Sequence, residues 1–280
     1  MNVAITGASG FIGRAVAEHL RKSGHLVRAV SLRATIEPRS LENVNAVVHL
    51  AGEPVAQRWT AAARERIMRS RVEGTRALVA AMREHPPQVL ISASAVGYYG
   101  SRGDEILTES APAADDFLGR VALAWETEAQ AAEPLGVRVA RIRIGVVLGH
   151  GGALARMLAP FRFGLGGRLG DGYQWMSWVH IDDLVELIAF LIKESTVRGV
   201  FNATSPFPVT NREFTRALAE AVHRPAILPV PAFALRLIFG EMAQVLLASQ
   251  RAIPHAAQRA GFVFENPDIF AALAQIVGEE

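Results

Sequence analysis

No cysteine occurs among the 280 residues. This excludes disulfides, iron–sulfur clusters, thiolate zinc sites and a cysteine nucleophile, and it agrees with a reducing compartment. Lysine is nearly as scarce, with only Lys22 and Lys193 among the 29 basic residues. The three tyrosines are Tyr98, Tyr99 and Tyr173, so chemistry that needs a phenol beside an ammonium has few places to form. A net charge of +2 gives no reason to expect a nucleic-acid partner. Long apolar runs are also missing. The stretch 184–192 is interrupted by Glu186 and is too short to cross a bilayer. Residues 1–7 enter a strand at once, with no room for the charged and apolar regions of a leader. The expectation is a cytoplasmic protein with no membrane partner.

Half of the residues are hydrophobic and a fifth are charged, enough to bury a sizeable core. Short apolar runs at 3–6, 26–31, 46–50, 89–92 and 137–144 read as strands. Longer amphipathic stretches at 11–22, 60–84 and 117–133 read as helices between them. Such alternation predicts βαβ units and a parallel sheet, hence the α/β class. Beyond residue 150 the texture changes to glycine-rich loops at 149–152 and 164–172. Asp182 or Asp183 is expected to cap the helix that follows, by accepting bonds from first-turn amides. A last module begins near Pro229-Val230-Pro231, carries an apolar helix over 233–248, and ends with a helix opened by Asn266-Pro267-Asp268.

Between the first strand and the first helix stand Gly7, Gly10 and Gly13, with Phe11 and Ile12 between the last two. Small residues there let the backbone approach a pyrophosphate, while helix amides and the helix dipole attract its charge. Gly13 lets the helix pack closely on the sheet. NAD-selective sites place a carboxylate at the end of the second strand to hold the ribose 2′-hydroxyl. Here that place reads Val30-Ser31-Leu32-Arg33, and the first carboxylate is Glu37. Ser31 and Arg33 can donate to a 2′-phosphate, and Arg14 adds charge beside the turn. The cofactor expected is NADP(H).

These residues resemble the extended short-chain dehydrogenase/reductase superfamily, also called the NAD-dependent epimerase/dehydratase family. The resemblance rests on Thr6-Gly7-Ala8-Ser9-Gly10-Phe11-Ile12-Gly13, His49-Leu50-Ala51-Gly52 and the stretch from Ser92 to Gly100. Arg58-Trp59-Thr60, Ser70-Arg71-Val72-Glu73-Gly74-Thr75, the run from Trp175 to Leu184, and Gln250-Arg251-Ala252-Ile253-Pro254 are similar to one subgroup. That subgroup comprises atypical epimerase-like proteins with a C-terminal domain of unknown function. The resemblance implies a Rossmann-type doubly wound parallel sheet in an NAD(P)-binding domain over 1–227. A smaller C-terminal module over 228–280 would close over substrate. It also implies that Leu50, Ala51 and Gly52 line the adenine and ribose side, and that Arg143 and Ile144 approach the nicotinamide. Arg71 stands where many members have asparagine. Two readings stand for it, an inward arginine beside a cofactor phosphate and a solvated helix arginine.

Chemistry in this superfamily uses a Tyr-x-x-x-Lys pair, in which lysine lowers the pKa of a proton-passing phenol. The residues four after Tyr98, Tyr99 and Tyr173 are Arg102, Gly103 and Ser177, so no such pair exists. Counted back from Glu126, the usual positions fall on Leu118 and Ala122, which cannot ionise. Ser94 keeps the catalytic serine position and is expected either to orient a substrate carbonyl or to bond local backbone. Tyr98, or Tyr99, is the candidate for a displaced acid, against the alternative that both pack a substrate-side loop.

His180 before Asp182-Asp183 suggests a histidine–carboxylate relay or, on the simpler reading, a hydrogen-bonded structural residue. No histidine spacing fits a metal site, and no serine context fits a hydrolase. The loop 163–172 reads as a lid with Arg168 facing an anionic substrate, or as a plain connection. Trp175 and Trp178 suit a pocket wall or core. The apolar surface formed by Phe233, Leu237, Met242, Val245 and Leu246 suits packing on the main domain, with part of it left for a homodimer contact. Two functions follow. One is an NADP(H)-dependent oxidoreductase or nucleotide-sugar-epimerase-like enzyme acting on an unknown small molecule. The other is a non-catalytic NADP(H)-sensing regulator.

Overall fold

The computed structural model describes residues 1–32 and 35–278. β1 (Asn2–Thr6) leads through α1 (Phe11–Lys22) to β2 (Leu26–Val30), and a short 3-10 turn precedes β3 (Ala46–His49). α2 (Ala61–Ala81), β4 (Val89–Ala95), the short β5 (Ile106–Leu107), α3 (Phe117–Gln130) and β6 (Arg138–Ile144) follow. β7 (Val146–Leu148), α4 (Gly152–Arg162), β8 (Trp175–Met176), β9 (Trp178–His180), α5 (Ile181–Lys193) and β10 (Gly199–Ala203) complete the sheet and begin the second lobe. The chain ends with β11 (Val209–Thr210), α6 (Asn211–Ala221), α7 (Ala232–Phe239), α8 (Ala243–Leu247), β12 (Arg251–Ala252), α9 (His255–Arg259) and α10 (Ile269–Gly278).

The main sheet is wholly parallel in the order β10-β6-β4-β3-β1-β2. Its inner strands β1, β3 and β4 are buried on both faces because both are covered, whereas the edge strand β2 is largely exposed. Val3 and Ile5 of β1 face α1 and α5, while Ala4 between them faces the layer of α2 and α3. Strand order reverses between β1 and β3, and in open α/β sheets ligands gather at the carboxyl ends of strands beside such a reversal. The parallel sheet expected from the alternation and the doubly wound Rossmann-type fold implied by the resemblance are therefore the fold observed.

The second lobe has its own core of α4, α6, α10 and Trp178. Two short pairings stitch it to the main sheet region, β7 with β9 and β12 with β5, both parallel. Trp178 is fully buried, so its ring is core rather than pocket wall.

Two local expectations are corrected. The helix over 233–248 is broken into α7, a 3-10 turn and α8, because Gly240 adopts φ +60°, a conformation that ends a right-handed helix. Met242 reaches the cluster formed by Trp59, Ile67 and Val121, whereas Phe233, Leu237 and Ile238 stay exposed. The cap of α5 is His180, whose Nδ1 accepts from the Asp182 amide at 3.2 Å. Asp183 turns away instead, accepting from the Glu265 and Asn266 amides at 2.9 and 3.0 Å and tying α5 to the C-terminal segment.

Candidate dinucleotide and substrate site

The glycine turn is shaped by contacts that no side chain would survive. Gly7 has φ +72°, and a Cβ there would lie 2.9 Å from both the Leu50 carbonyl carbon and the Ala51 nitrogen. A Cβ on Gly13 would overlap Gly7 O and lie 2.9 Å from Ala8 Cα. Gly10 donates its amide to Gly7 O at 2.9 Å, which closes the turn. Gly10 also stands at the N-cap of α1 with no side chain capping the helix and no acid in the first turn. The positive end of α1 is thus open to an anion.

Ile12 packs on the sheet core. The Phe11 ring sits where side chains on Gly149, Gly151 and Gly152 would be, at 3.0, 2.9 and 2.8 Å from their Cβ positions. The first glycine-rich loop is thereby seated over the start of α1. Arg14 is exposed and reaches back to Ser9 O at 3.0 Å. Ser31 is exposed just past β2, and Arg33 lies outside the described residues.

Leu50, Ala51 and Gly52 follow β3 directly beside the turn. Their placement is set by a buried chain of hydrogen bonds whose direction can be worked out. Thr75 Oγ1 gives its single hydrogen to Arg71 O, at 2.5 Å, so it accepts from His49 Nε2 at 2.8 Å. His49 Nδ1 is then bare and accepts from Thr6 Oγ1 at 2.7 Å, while Thr6 Oγ1 accepts from the Ala51 amide at 3.3 Å. Burial lowers the His49 pKa to about 4, with Arg71 adding to the effect. The ring is therefore neutral and packs edge-on against Trp125. Arg71 faces inward beneath Gly52: its guanidinium carbon lies 3.1 Å from the position of a Gly52 Cβ and 5.0 Å from the Trp125 ring centre. It donates to Glu53 O and Ile67 O at 3.0 and 3.2 Å, and burial lowers its pKa to about 10.

At the carboxyl end of β4 and β6 lies a second network. Ser94 is opposite Arg143 in the strand register, and Arg143 is opposite Asn202. Arg143 and Glu126 form a buried two-pronged pair, with Nε–Oε1 2.8 Å and Nη2–Oε2 2.9 Å. Ser94 Oγ donates to the same Oε1 at 2.7 Å. The third guanidinium nitrogen, Nη1, donates to Tyr99 Oη at 2.9 Å and to Glu109 O at 3.2 Å. Tyr99 in turn donates to Asn202 Oδ1 at 2.7 Å. Burial pushes the Tyr99 phenol up to about 12, against the opposing pull of Arg143, so it stays protonated.

Tyr98 is half-buried, with the Arg143 guanidinium 3.4 Å from its ring centre. Its hydroxyl makes no hydrogen bond within the described residues. Ile144 is half-buried against the sheet core. Leu118 lies against the Gly97 loop, 3.3 Å from a Gly97 Cβ position, and Ala122 is buried. Glu126, Glu109 and Asn202 were not among the sequence candidates. The available signal was that Leu118, Ala122 and Glu126 share a helix face, which puts an acid on a side that is otherwise apolar.

The model of the NAD dependent epimerase/dehydratase family matches residues 3–204. The chain belongs to the NAD-dependent epimerase/dehydratase family. A second model, of a domain of unknown function, matches residues 230–276 of this family member. An epimerase family protein of Mycobacterium bovis is 42% identical over 97% of this chain and 96% of its own length. The Arabidopsis thaliana homolog of epimerase family protein SDR39U1, named as chloroplastic, is 39% identical over 99% of this chain and 87% of its own. The crystal structure of human epimerase family protein SDR39U1 with NADPH matches with a TM-score of 0.92 at 31% identity, over 100% of both chains. Among the described residues of this epimerase-family chain, no helix is long and apolar enough to cross a membrane.

Proposed function

We propose that the chain binds NADP(H) on the glycine turn. There it acts as an atypical oxidoreductase or nucleotide-sugar-epimerase-like enzyme on a small substrate bearing a carbonyl or hydroxyl group. The observation that carries this reading is the turn itself, where a Cβ on Gly7 or Gly13 has no room and the start of α1 is uncapped. The likeness to the human protein crystallised with NADPH supports the same cofactor.

Gly7, Gly10 and Gly13, with the amides of Phe11 and Ile12, would hold the pyrophosphate. Arg14 and Ser31, with Arg33, would hold the 2′-phosphate. Leu50, Ala51 and Gly52 would line the adenosine side, with Arg71 beneath them. Arg143 and Ile144 would stand at the nicotinamide end. When bound, such a cofactor supplies a hydride donor or acceptor.

The protein's own contribution is worked by Ser94, Glu126 and Tyr98. Glu126, paired with Arg143, accepts the hydrogen bond that the Ser94 hydroxyl donates, so Ser94 offers lone pairs and accepts from a substrate hydroxyl. Tyr98, whose hydroxyl has no protein partner among the described residues, is the proton donor or acceptor in this scheme. We place this activity in the cytoplasm, in a chain with a main domain over 1–227 and a C-terminal module over 228–280. The exposed face of α7 is offered to a second copy.

Titration of the purified protein with NADPH and NADH tests the cofactor half, with NADPH expected to bind at least tenfold tighter. Equal affinities would overturn the selectivity, and no binding of either would overturn the whole reading. A panel of carbonyl compounds and nucleotide sugars then tests turnover. Ser94→Ala and Tyr98→Phe should each slow it tenfold or more. Leu118 and Ala122, at the positions of the missing pair, favour a second reading, a non-catalytic NADP(H) sensor. That reading stands if NADPH binds tightly and no compound consumes it.

A further inference from the structure

We infer that the groove between α6 and the loop 166–172 is a second anion site, one that takes the phosphate group of a small organic phosphate. The groove has a volume of about 480 Å³ and is lined by Arg168, Arg212, Thr215 and Arg216, with an apolar floor that includes Ala219 and Ile227. None of these residues belongs to the glycine turn or to the strand ends beside it.

Arg212 and Arg216 are one helical turn apart on α6 and so point to the same side. Neither forms an ion pair with a carboxylate among the described residues. Arg212 lies over the Tyr173 ring at 4.5 Å and Arg216 over the Phe270 ring at 4.9 Å. A guanidinium stacked by its face keeps its in-plane N–H groups free for an acceptor, and that fork matches a phosphate.

Arg168 comes from the opposite wall and is fixed by its backbone. Its carbonyl accepts from Val230 N at 2.9 Å, and Gly170 N donates to Val230 O at 2.9 Å. Gly172, with φ +78°, makes room for it: a Cβ there would lie 3.1 Å from Arg168 Cδ and 3.5 Å from Arg212 Cβ. Arg168 and Arg212 therefore flank one bare backbone position.

Thr215 adds a hydroxyl-bearing side chain to the same wall. It is 6% exposed and lines the groove between Arg212 and Arg216 in sequence. Of the acids close in sequence, Glu220 lies exposed one turn beyond Arg216, and two others are engaged elsewhere. Asp171 accepts from the Tyr173 amide at 3.0 Å, and Glu213 closes the capping box with Thr210. Three positive forks and one hydroxyl thus line one groove with no ion-pair partner among the described residues, above an apolar floor that suits an organic body.

The experiment is calorimetric titration of the full chain with phenyl phosphate at constant ionic strength, run on the parent protein, on Arg212→Gln/Arg216→Gln and on Thr215→Val. NADPH titrations of all three run alongside. The expected result is millimolar binding of phenyl phosphate that weakens at least tenfold in the double variant and severalfold in Thr215→Val, while NADPH affinity is unchanged in both. Equal phenyl phosphate binding in the parent and double variant would overturn the assignment, because the anion would then be held elsewhere. Absence of binding to the parent at 10-millimolar-scale concentrations would overturn it outright. Failure of NADPH to bind would sink the dinucleotide reading and leave this groove untouched.

Discussion

Acidification should destabilise this protein through His49 before its carboxylates begin to titrate. The folded chain keeps the ring neutral down to about pH 4, since burial withholds the water that a charged imidazole needs. Nδ1 is also committed as an acceptor from Thr6. In the unfolded chain the same ring takes a proton near pH 6.5. Above that value neither state is protonated and the group has no effect. As pH falls below it, the unfolded chain binds a proton that the folded chain refuses, so stability is lost until the folded pKa is passed.

At about 1.4 kcal/mol per pH unit, the loss is about 2 kcal/mol at pH 5 and about 3 kcal/mol once both forms are charged. Against the 5–15 kcal/mol typical of a folded domain, that is a readily measured share. Urea titrations at pH 7 and pH 5 measure it, with His49→Gln as the reference. The variant is destabilised at pH 7 by about 1–3 kcal/mol because the Thr6 and Thr75 hydroxyls lose their partner. Its decline between the two pH values is smaller than the parent's by about 2 kcal/mol. Identical declines would refute the argument. So would a nitrogen NMR spectrum in which His49 titrates near pH 6.5, or in which Nδ1 rather than Nε2 carries the proton at pH 7.

Three further outcomes follow from the geometry. Gly13→Ala should lose about 1–3 kcal/mol of stability by forcing a methyl group onto Gly7 O, and should abolish NADPH binding; thermal melts and fluorescence titration read the two effects. Arg143→Met should cost about 3–5 kcal/mol by leaving Glu126 buried and uncompensated, whereas Arg143→Met with Glu126→Gln should recover part of that loss in denaturant titrations. Tyr99→Phe should cost about 1–3 kcal/mol through the stranded Asn202 and Arg143 groups, while Tyr98→Phe should leave stability within about 0.5 kcal/mol and act only on turnover.

The glycine turn was legible because its demands are local. Gly7, Gly10 and Gly13 lie within one strand–turn–helix step, and Gly7 and Gly13 are each required by close backbone contacts. The strands at 3–6 and 46–50 were legible for a related reason, since burial on both faces leaves an unbroken apolar run. Local pattern also misled. Apolar periodicity continues through 233–248, and nothing in it announces that Gly240 takes a positive φ and turns the chain. Two aspartates at the start of α5 suit a cap, yet the cap is His180, because Asp183 is drawn to amides some eighty residues further along the chain.

The sequence by itself determined the parallel α/β sheet, the phosphate-binding turn at its first crossing and the absence of any Tyr-x-x-x-Lys pair. Each depends on residue types at fixed short spacing. Only the tertiary structure decided that Ser94 donates its hydrogen bond to Glu126, that Arg143 holds that carboxylate, and that Tyr99 is bound while the Tyr98 hydroxyl finds no partner among the described residues. It alone turned Arg71 inward beneath Gly52 and set Arg168 across from α6. Periodicity tells which face of a helix or strand is buried. It cannot tell which residue from a distant segment meets that face, because the meeting depends on strand order and on side-chain directions that exist only once the layers are packed.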